Sequence, residues 1–147
     1  MTAYNSTQFA AKNPIPMHGQ SGDIQVQYCS VPLSAALTAA DTLNFFYLPP
    51  NARVHNAILK CTDIDTNGSP TVTLNVGDAA LATRYFSASV VGQAGTVDAS
   101  MQAAGRFFKT TARTLVTGTV QANAATGVAG TLELAIHYVV EDSPTSP

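Results

Sequence analysis

Hydrophobic and polar positions alternate along much of this chain with a period of two residues, as in β-strands that have one buried face. The alternation is cleanest in residues 130–142, GTLELAIHYVVED. The core-facing side of this strand is expected to carry five residues: Leu132, Leu134, Ile136, Tyr138 and Val140.

Earlier segments also predict strands: residues 23–33, 42–49, 52–64, 70–78 and 113–124. In the first of these, Ile24, Val26 and Tyr28 fall on one face, and the glutamines between them fall on the other. The apolar three are therefore expected to face the core. Gly and Pro turns separate these short strands, a pattern typical of a β-sandwich or barrel.

The remaining segments predict other structure. Residues 80–91, ALATRYFSASVV, are the best helix candidate, and residues 92–105 are small and polar, as in a loop. Residues 1–22 contain two prolines and predict an extended N-terminal arm, with a frayed terminus as the alternative. Residues 143–147 predict a flexible tail. Between the arm and the tail, one β-sandwich domain is expected over residues 23–142.

Charge is scarce along the chain. Only 11% of the 147 residues are charged, where about 25% is usual. This depletion is typical of surfaces covered by copies of the chain or by a partner; the alternative is a β protein that is simply rich in small residues. The seven basic residues are scattered singly and the net charge is −2, so no nucleic-acid-binding stripe is expected.

The sequence shows no targeting segment and contains few cysteines. No apolar run approaches the roughly 18 residues of a membrane helix, and the N-terminus lacks the pattern of a signal peptide. The two cysteines, Cys29 and Cys61, fall on different predicted strands and are too few for a zinc site or a disulfide scaffold. Two buried thiols are expected, and a disulfide between them is the alternative.

One stretch, CTDIDTNGSPTVTLNVGD at 61–78, begins like a calcium loop, with Asp63, Asp65, Asn67 and Gly68 at D-x-D-x-N-G spacing. A calcium loop also needs a bidentate Glu at its twelfth position, and that position is Leu74. An Asn-Gly pair favours a β-hairpin turn instead. A turn with no metal is therefore predicted, and a weak surface calcium site is the alternative.

Catalytic signatures are missing from the sequence. His18, His55 and His137 do not share a metal-binding spacing, and there is no G-x-S-x-G nucleophile. The short glycine segment 127–131 lacks the lysine and the following helix of a phosphate loop. No catalytic, cofactor-binding or metal-binding residues are predicted, and no cofactor. The chain is not expected to be an enzyme.

Two stretches carry a family resemblance. Residues 40–80 run from a strand through LPP to VGD, and residues 119–142 run through AGTL into a last strand ending HYVV. Together they resemble small structural proteins of tailed bacteriophages, specifically head decoration (cement) proteins. The resemblance implies a jelly-roll-like antiparallel β-sandwich with no catalytic residues. It also implies a place on the outer capsid, commonly as a homotrimer that braces the major capsid protein.

Contact residues follow from expected exposure. The candidates are the arm residues Tyr4, Phe9 and Ile15, and the turns Pro49-Pro50 and Asn67-Gly68. The alternative function is a tail-fibre, spike or neck module that binds a host surface or glycan. The absence of tryptophan disfavours a glycan site built on aromatic stacking.

Overall fold

The computed structural model describes residues 2–6 and 23–141, which form two β-sheets packed face to face. The strands are β1 (Ala3–Asn5), β2 (Ile24–Leu33), β3 (Thr42–Leu48), β4 (Ala52–Cys61), β5 (Thr73–Gly77), β6 (Phe86–Ser89), β7 (Val97–Asp98), β8 (Thr114–Ala122) and β9 (Gly130–Val140). The expected all-β sandwich is confirmed. In the described residues, helix is limited to a 3-10 turn at Val91–Gln93, and no helix could span a membrane.

The first sheet has the strand order β1-β3-β8-β5-β6, and the second has the order β2-β9-β4-β7. Neighbouring strands pair antiparallel, except that β1 runs parallel to β3. Since β4 and β5 belong to different sheets, the chain crosses the sandwich between them. The predicted hairpin at Asn67-Gly68 is therefore wrong, although the turn itself is present.

The core lies between the two sheets, and β9 supplies its centre. The five residues predicted for the inner face of β9 are all buried: Leu132, Leu134, Ile136, Tyr138 and Val140. In β3, the consecutive residues Phe45 and Phe46 are both buried, which a regular pleat would not allow. A register shift between Asn44 and Tyr47 makes this possible, because a bulge turns one extra side chain inward.

The first residues of the expected arm belong to the sandwich itself. Tyr4 lies in β1, packs against the core and forms a hydroxyl hydrogen bond with Ser34 at 2.9 Å. The backbone N–H of Thr2 donates to Asp41 at 2.7 Å. Tyr4 is therefore held against its own chain and remains half-exposed, and its role as a contact residue stays a prediction. The rest of the arm, residues 7–22, lies outside the described residues, as do residues 142–147.

The helix predicted at 80–91 is wrong. Asp78 accepts backbone hydrogen bonds from Ala80 and Leu81, which closes a turn instead of starting a helix. The backbone N–H of Tyr85 then donates to Val76 of β5, and β6 follows. Tertiary pairing overrides local helix propensity here, because it buries Tyr85 and the next aromatic residue together.

The facing of β2 is the reverse of that predicted. Ile24 and Val26 are 69% and 55% exposed, while Cys29 and Val31 are fully buried. Apolar residues occupy even positions in the first half of β2 and odd positions in the second half, and a regular strand can bury only one set. The second set is buried, so Gln27 turns inward and the first apolar set faces solvent.

Both cysteines are free and buried on the inner face of the second sheet. Cys29 pairs with Leu134 and Cys61 with Leu132, so β9 separates the two thiols. Burial raises the pKa of each thiol to about 12. The expectation of two buried thiols is confirmed.

Neither thiol should react with an aromatic disulfide reagent at pH 8 in the folded chain, because both are buried and protonated. Both should react in full after unfolding in guanidinium. The released chromophore measures the number of reactive thiols per chain. Reaction of one or two thiols in the native chain within minutes would contradict this placement.

Candidate functional site

Asp65 is fully buried in the turn that follows β4. Its carboxylate accepts four backbone hydrogen bonds, from Thr71, Val72, Ala125 and Thr126, at 2.7–3.2 Å. Two of the donors precede β5 and two lie between β8 and β9, so one side chain joins two loops. Burial alone would raise the pKa of Asp65, but the four N–H donors outweigh it and hold the pKa below its ordinary value.

The other residues of the calcium-like stretch also serve the turn. Asp63 accepts the backbone N–H of Asp65 at 3.1 Å. The side-chain oxygen of Asn67 accepts the N–H of Ser69 at 2.9 Å, and its amide donates to Thr126 at 3.0 Å. The bonds to the N–H groups of Asp65 and Ser69 are the local Asx turns expected of such residues, and the bond to Thr126 ties the turn to the loop before β9. That the stretch binds no metal stays a prediction.

The histidines are spread over the molecule. His55 is exposed and stacks edge-on against Phe107, with ring centroids 5.5 Å apart. His137 lies on the outer face of β9, while His18 lies outside the described residues. In residues 2–6 and 23–141, no group of three or more His, Cys, Asp or Glu side chains could hold a metal.

The two turns expected to make contacts lie at opposite ends of the sandwich. Pro50 is exposed, whereas Pro49 is buried and its carbonyl accepts a hydrogen bond from Thr110 at 2.6 Å. This turn lies beside the C-terminal end of β9, since the N–H of Glu141 donates to Asn51. The exposed Asn67-Gly68 turn lies near the other end of β9, about 35 Å away.

The outer face of the second sheet carries an apolar strip, which sequence reasoning assigned to the core. We call the exposed side chains of Ile24, Val26 and Tyr28 the β2 ridge. The ridge continues onto β9, where Ile24 pairs with Val139 and Tyr28 with Ala135. The signal that could have revealed it is the phase change within β2.

An open groove of about 590 Å³ lies at the opposite edge of the same sheet, next to β6. We call it the β6–β7 groove, and its lining consists of Ser89, Val90, Val91, Thr96, Val97, Asp98, Ala99 and Ser100. Val90 and Val97 are each more than half exposed. Burial alone would raise the pKa of Asp98, but hydrogen bonds from Ser100 and Ser89 lower it. Residues 96–100 of the groove fall in the segment predicted to be a small, polar loop, and residues 89–91 fall in the predicted helix.

Charged side chains near these surfaces are paired within the chain. Glu141 binds both Arg53 and Lys109, and Glu133 binds Lys60 at 3.2 Å. The hydroxyl of Tyr28 also donates to Glu133 at 2.5 Å. These ion pairs neutralise part of the charge on the outer face of this sheet, while Asp23, directly before β2, is exposed.

The comparisons with known proteins point to one class. No protein-family model and no curated protein matches the sequence. Among solved structures, the chain is similar to a chain of the cyanophage Pam1 capsid asymmetric unit: 42% identity, TM-score 0.76, over 86% of this chain and 91% of that one. It is also similar to a chain of the capsid of Ralstonia phage GP4, with 32% identity and TM-score 0.83, over 97% of this chain and all of that one.

A two-sheet sandwich with this likeness to capsid chains defines a structural protein of a phage virion. The chain belongs to a family of phage capsid-associated proteins that includes these chains of Pam1 and GP4.

Proposed function

We propose that this protein is a decoration (cement) protein that binds the outer surface of a phage head and stabilises the capsid. The observation that carries the proposal is the match over nearly the whole chain to chains of two phage capsids. The proposed partners are the major capsid protein and further copies of the chain in a homotrimer. We propose no catalytic activity, cofactor or metal.

The strand order supports a jelly roll. Strands β2-β9-β4-β7 in one sheet face β3-β8-β5-β6 in the other, with β1 added beside β3. On this ground we propose a double-sheet jelly roll, an architecture that viral capsid domains commonly use. A cement role needs such a rigid body with large side surfaces, because its work is done by buried contact area.

The basic residues support a partner other than nucleic acid. Among the described residues, Arg53, Lys60, Arg84 and Lys109 form ion pairs, and Arg113 lies over the ring of Tyr47 at 4.0 Å. These five cations are engaged within the chain, which leaves less free positive charge for a phosphate backbone. Contact with capsid protein is better suited to a surface whose charges are already neutralised.

Capsids purified without this protein provide the test. The purified chain should sediment with them to saturation, and decorated capsids should release their DNA at a temperature several degrees higher, as measured with a DNA-binding dye. Replacement of Phe9 and Ile15 by alanine tests the proposed arm contact. We expect at least tenfold weaker capsid binding with an unchanged far-UV circular dichroism spectrum.

A tail-fibre or neck module is the alternative, and the same preparation separates the two functions. Gold-labelled protein should decorate the head in electron micrographs. Labelling confined to the tail, or binding to host cells with none to capsids, would refute the cement function and favour the alternative.

A further inference from the structure

The β2 ridge is an unusual surface for a chain that acts alone. All ten residues of β2, IQVQYCSVPL, lack a formal charge, although β2 is an edge strand among the described strands. Soluble proteins usually protect such strands with lysine, proline or a covering segment. Here Pro32 protects only the C-terminal half of β2. In the N-terminal half, Ile24 and Val26 project into solvent. An uncharged apolar edge of this kind is expected to be covered in the assembled state.

The β6–β7 groove is a second surface with exposed apolar side chains. It is a shallow, open depression of about 590 Å³. Val90 and Val97 supply exposed apolar walls. These two side chains offer apolar contact area to a partner surface.

Both surfaces are compatible electrostatically. Asp98 is the single carboxylate that lines the groove, and Ser89 and Ser100 already satisfy it with hydrogen bonds at 2.9 Å or less. The ridge contributes no formal charge. Contact between ridge and groove would bury apolar surface without leaving a new charge unpaired, which is the costly error in an interface.

Their positions in the fold point to a second copy as the occupant. The ridge lies on the first strand of the order β2-β9-β4-β7, and the groove lies beside the last strand, about 14 Å across the sheet. A chain that carries apolar surfaces at opposite edges can associate head to tail, and such contacts close into a ring when the rotation permits.

We propose that the β2 ridge of one copy packs into the β6–β7 groove of the next copy. The proposal rests on the self-association contained in the proposed function and specifies the two surfaces that produce it. The contact is heterologous: each copy uses its ridge toward one neighbour and its groove toward the other.

Three variants of the full chain test the contact by light scattering and sedimentation velocity. The ridge variant carries Ile24→Asp and Val26→Asp, and the groove variant carries Val97→Asp. Phe107→Asp is the matched control, because Phe107 is an equally exposed apolar residue that belongs to neither surface. All the substituted side chains are exposed, so each variant should keep the circular dichroism spectrum and melting temperature of the wild type.

The wild type and the control should form the same oligomer. The ridge and groove variants should each have the monomer mass of 15.3 kDa, with self-association weakened more than about 100-fold. An equimolar mixture of the two variants should form a complex of two chains near 2 × 15.3 = 30.6 kDa, because one intact ridge meets one intact groove.

Three outcomes would overturn the proposal: a monomeric wild type, a groove variant with wild-type mass, or a mixture that stays monomeric. A groove variant that stays oligomeric while the ridge variant dissociates would indicate ridge-to-ridge pairing. A monomeric wild type that still binds capsids would leave the cement function standing without this interface. A wild type that forms the oligomer but does not bind capsids would refute the cement function and leave the ridge–groove contact standing.

Discussion

Replacement of Asp65 by asparagine is expected to lower the melting temperature by roughly 10 °C, a large effect for one polar substitution in a domain of this size. The carboxylate accepts four backbone N–H groups with its two oxygens. An asparagine offers one oxygen and turns an NH₂ group toward donors that then lose their acceptor. Buried donors left unpaired are costly, and two loops would lose their common anchor. Thermal unfolding followed by circular dichroism measures the effect.

Asp63→Asn is the matched control two residues earlier. Asp63 is exposed, and its carboxylate accepts the N–H of Asp65. Its substitution should change the melting temperature by less than about 2 °C. Equal losses for the two variants would contradict the anchoring role of Asp65. A melting temperature of the wild type that falls on addition of EDTA, while that of Asp65→Asn does not, would restore the calcium interpretation.

The effect of Asp65 should also depend on pH in a defined direction. Its pKa is held below the ordinary value of 3.8, so the unfolded chain takes up a proton at a pH where the folded chain does not. The stabilisation is therefore complete above about pH 5 and is lost as the pH falls below 3.8. The difference in melting temperature between wild type and Asp65→Asn should shrink over that acidic range.

The strands were predictable because their signal is local. In β9, five alternating apolar residues coincide with five buried positions. The buried face of β2 was harder to predict, since the two halves of the strand favour opposite faces. The choice between Ile24 and Val31 depends on which half of the strand lies over the core, and that is a property of the whole sandwich.

The predicted helix at 80–91 failed for a related reason. Its alanines favour a helix, yet Asp78 and Arg84 form an ion pair that folds the segment back on β5. Residues 61–78 resembled a calcium loop because Asx turns and metal loops use the same residue types. The residue types alone do not determine whether the oxygens of Asp65 bind a cation or backbone N–H groups. The β6–β7 groove was not predictable either, because it joins parts of two sheets.

Arg84→Ala should have the largest effect on stability, a loss of about 3–5 kcal/mol in the free energy of unfolding. Its guanidinium binds the carboxylate of Asp78 through two nitrogens, at 2.5 and 3.3 Å, and lies 3.7 Å from the ring centre of Phe108. Both partners of the pair are nearly buried. The substitution leaves the Asp78 charge buried with no cation beside it, which costs far more than the loss of one contact.

The turn at VGD, residues 76–78, positions the Asp78–Arg84 ion pair. A Cβ atom on Gly77 would lie 2.1 Å from the carbonyl oxygen of Leu81, so a side chain there would force the turn apart. Because this tight turn aims the Asp78 carboxylate at Arg84, the glycine and the ion pair stabilise one local structure. Arg84→Lys keeps the positive charge but not the two-nitrogen contact. In urea unfolding it should lose less stability than Arg84→Ala, and it can be measured if Arg84→Ala does not fold.

Arg53→Ala is the control for Arg84→Ala, since Arg53 and its partner Glu141 are each about one-third exposed. Its cost should be below about 1 kcal/mol, because water screens the pair and solvates the remaining carboxylate. Addition of Asp78→Asn to Arg84→Ala should recover part of the lost stability, because the stranded charge is removed. The explanation would be wrong if Arg53→Ala and Arg84→Ala lowered the free energy of unfolding equally. It would also be wrong if the losses of Arg84→Ala and Asp78→Asn simply added up in the double variant.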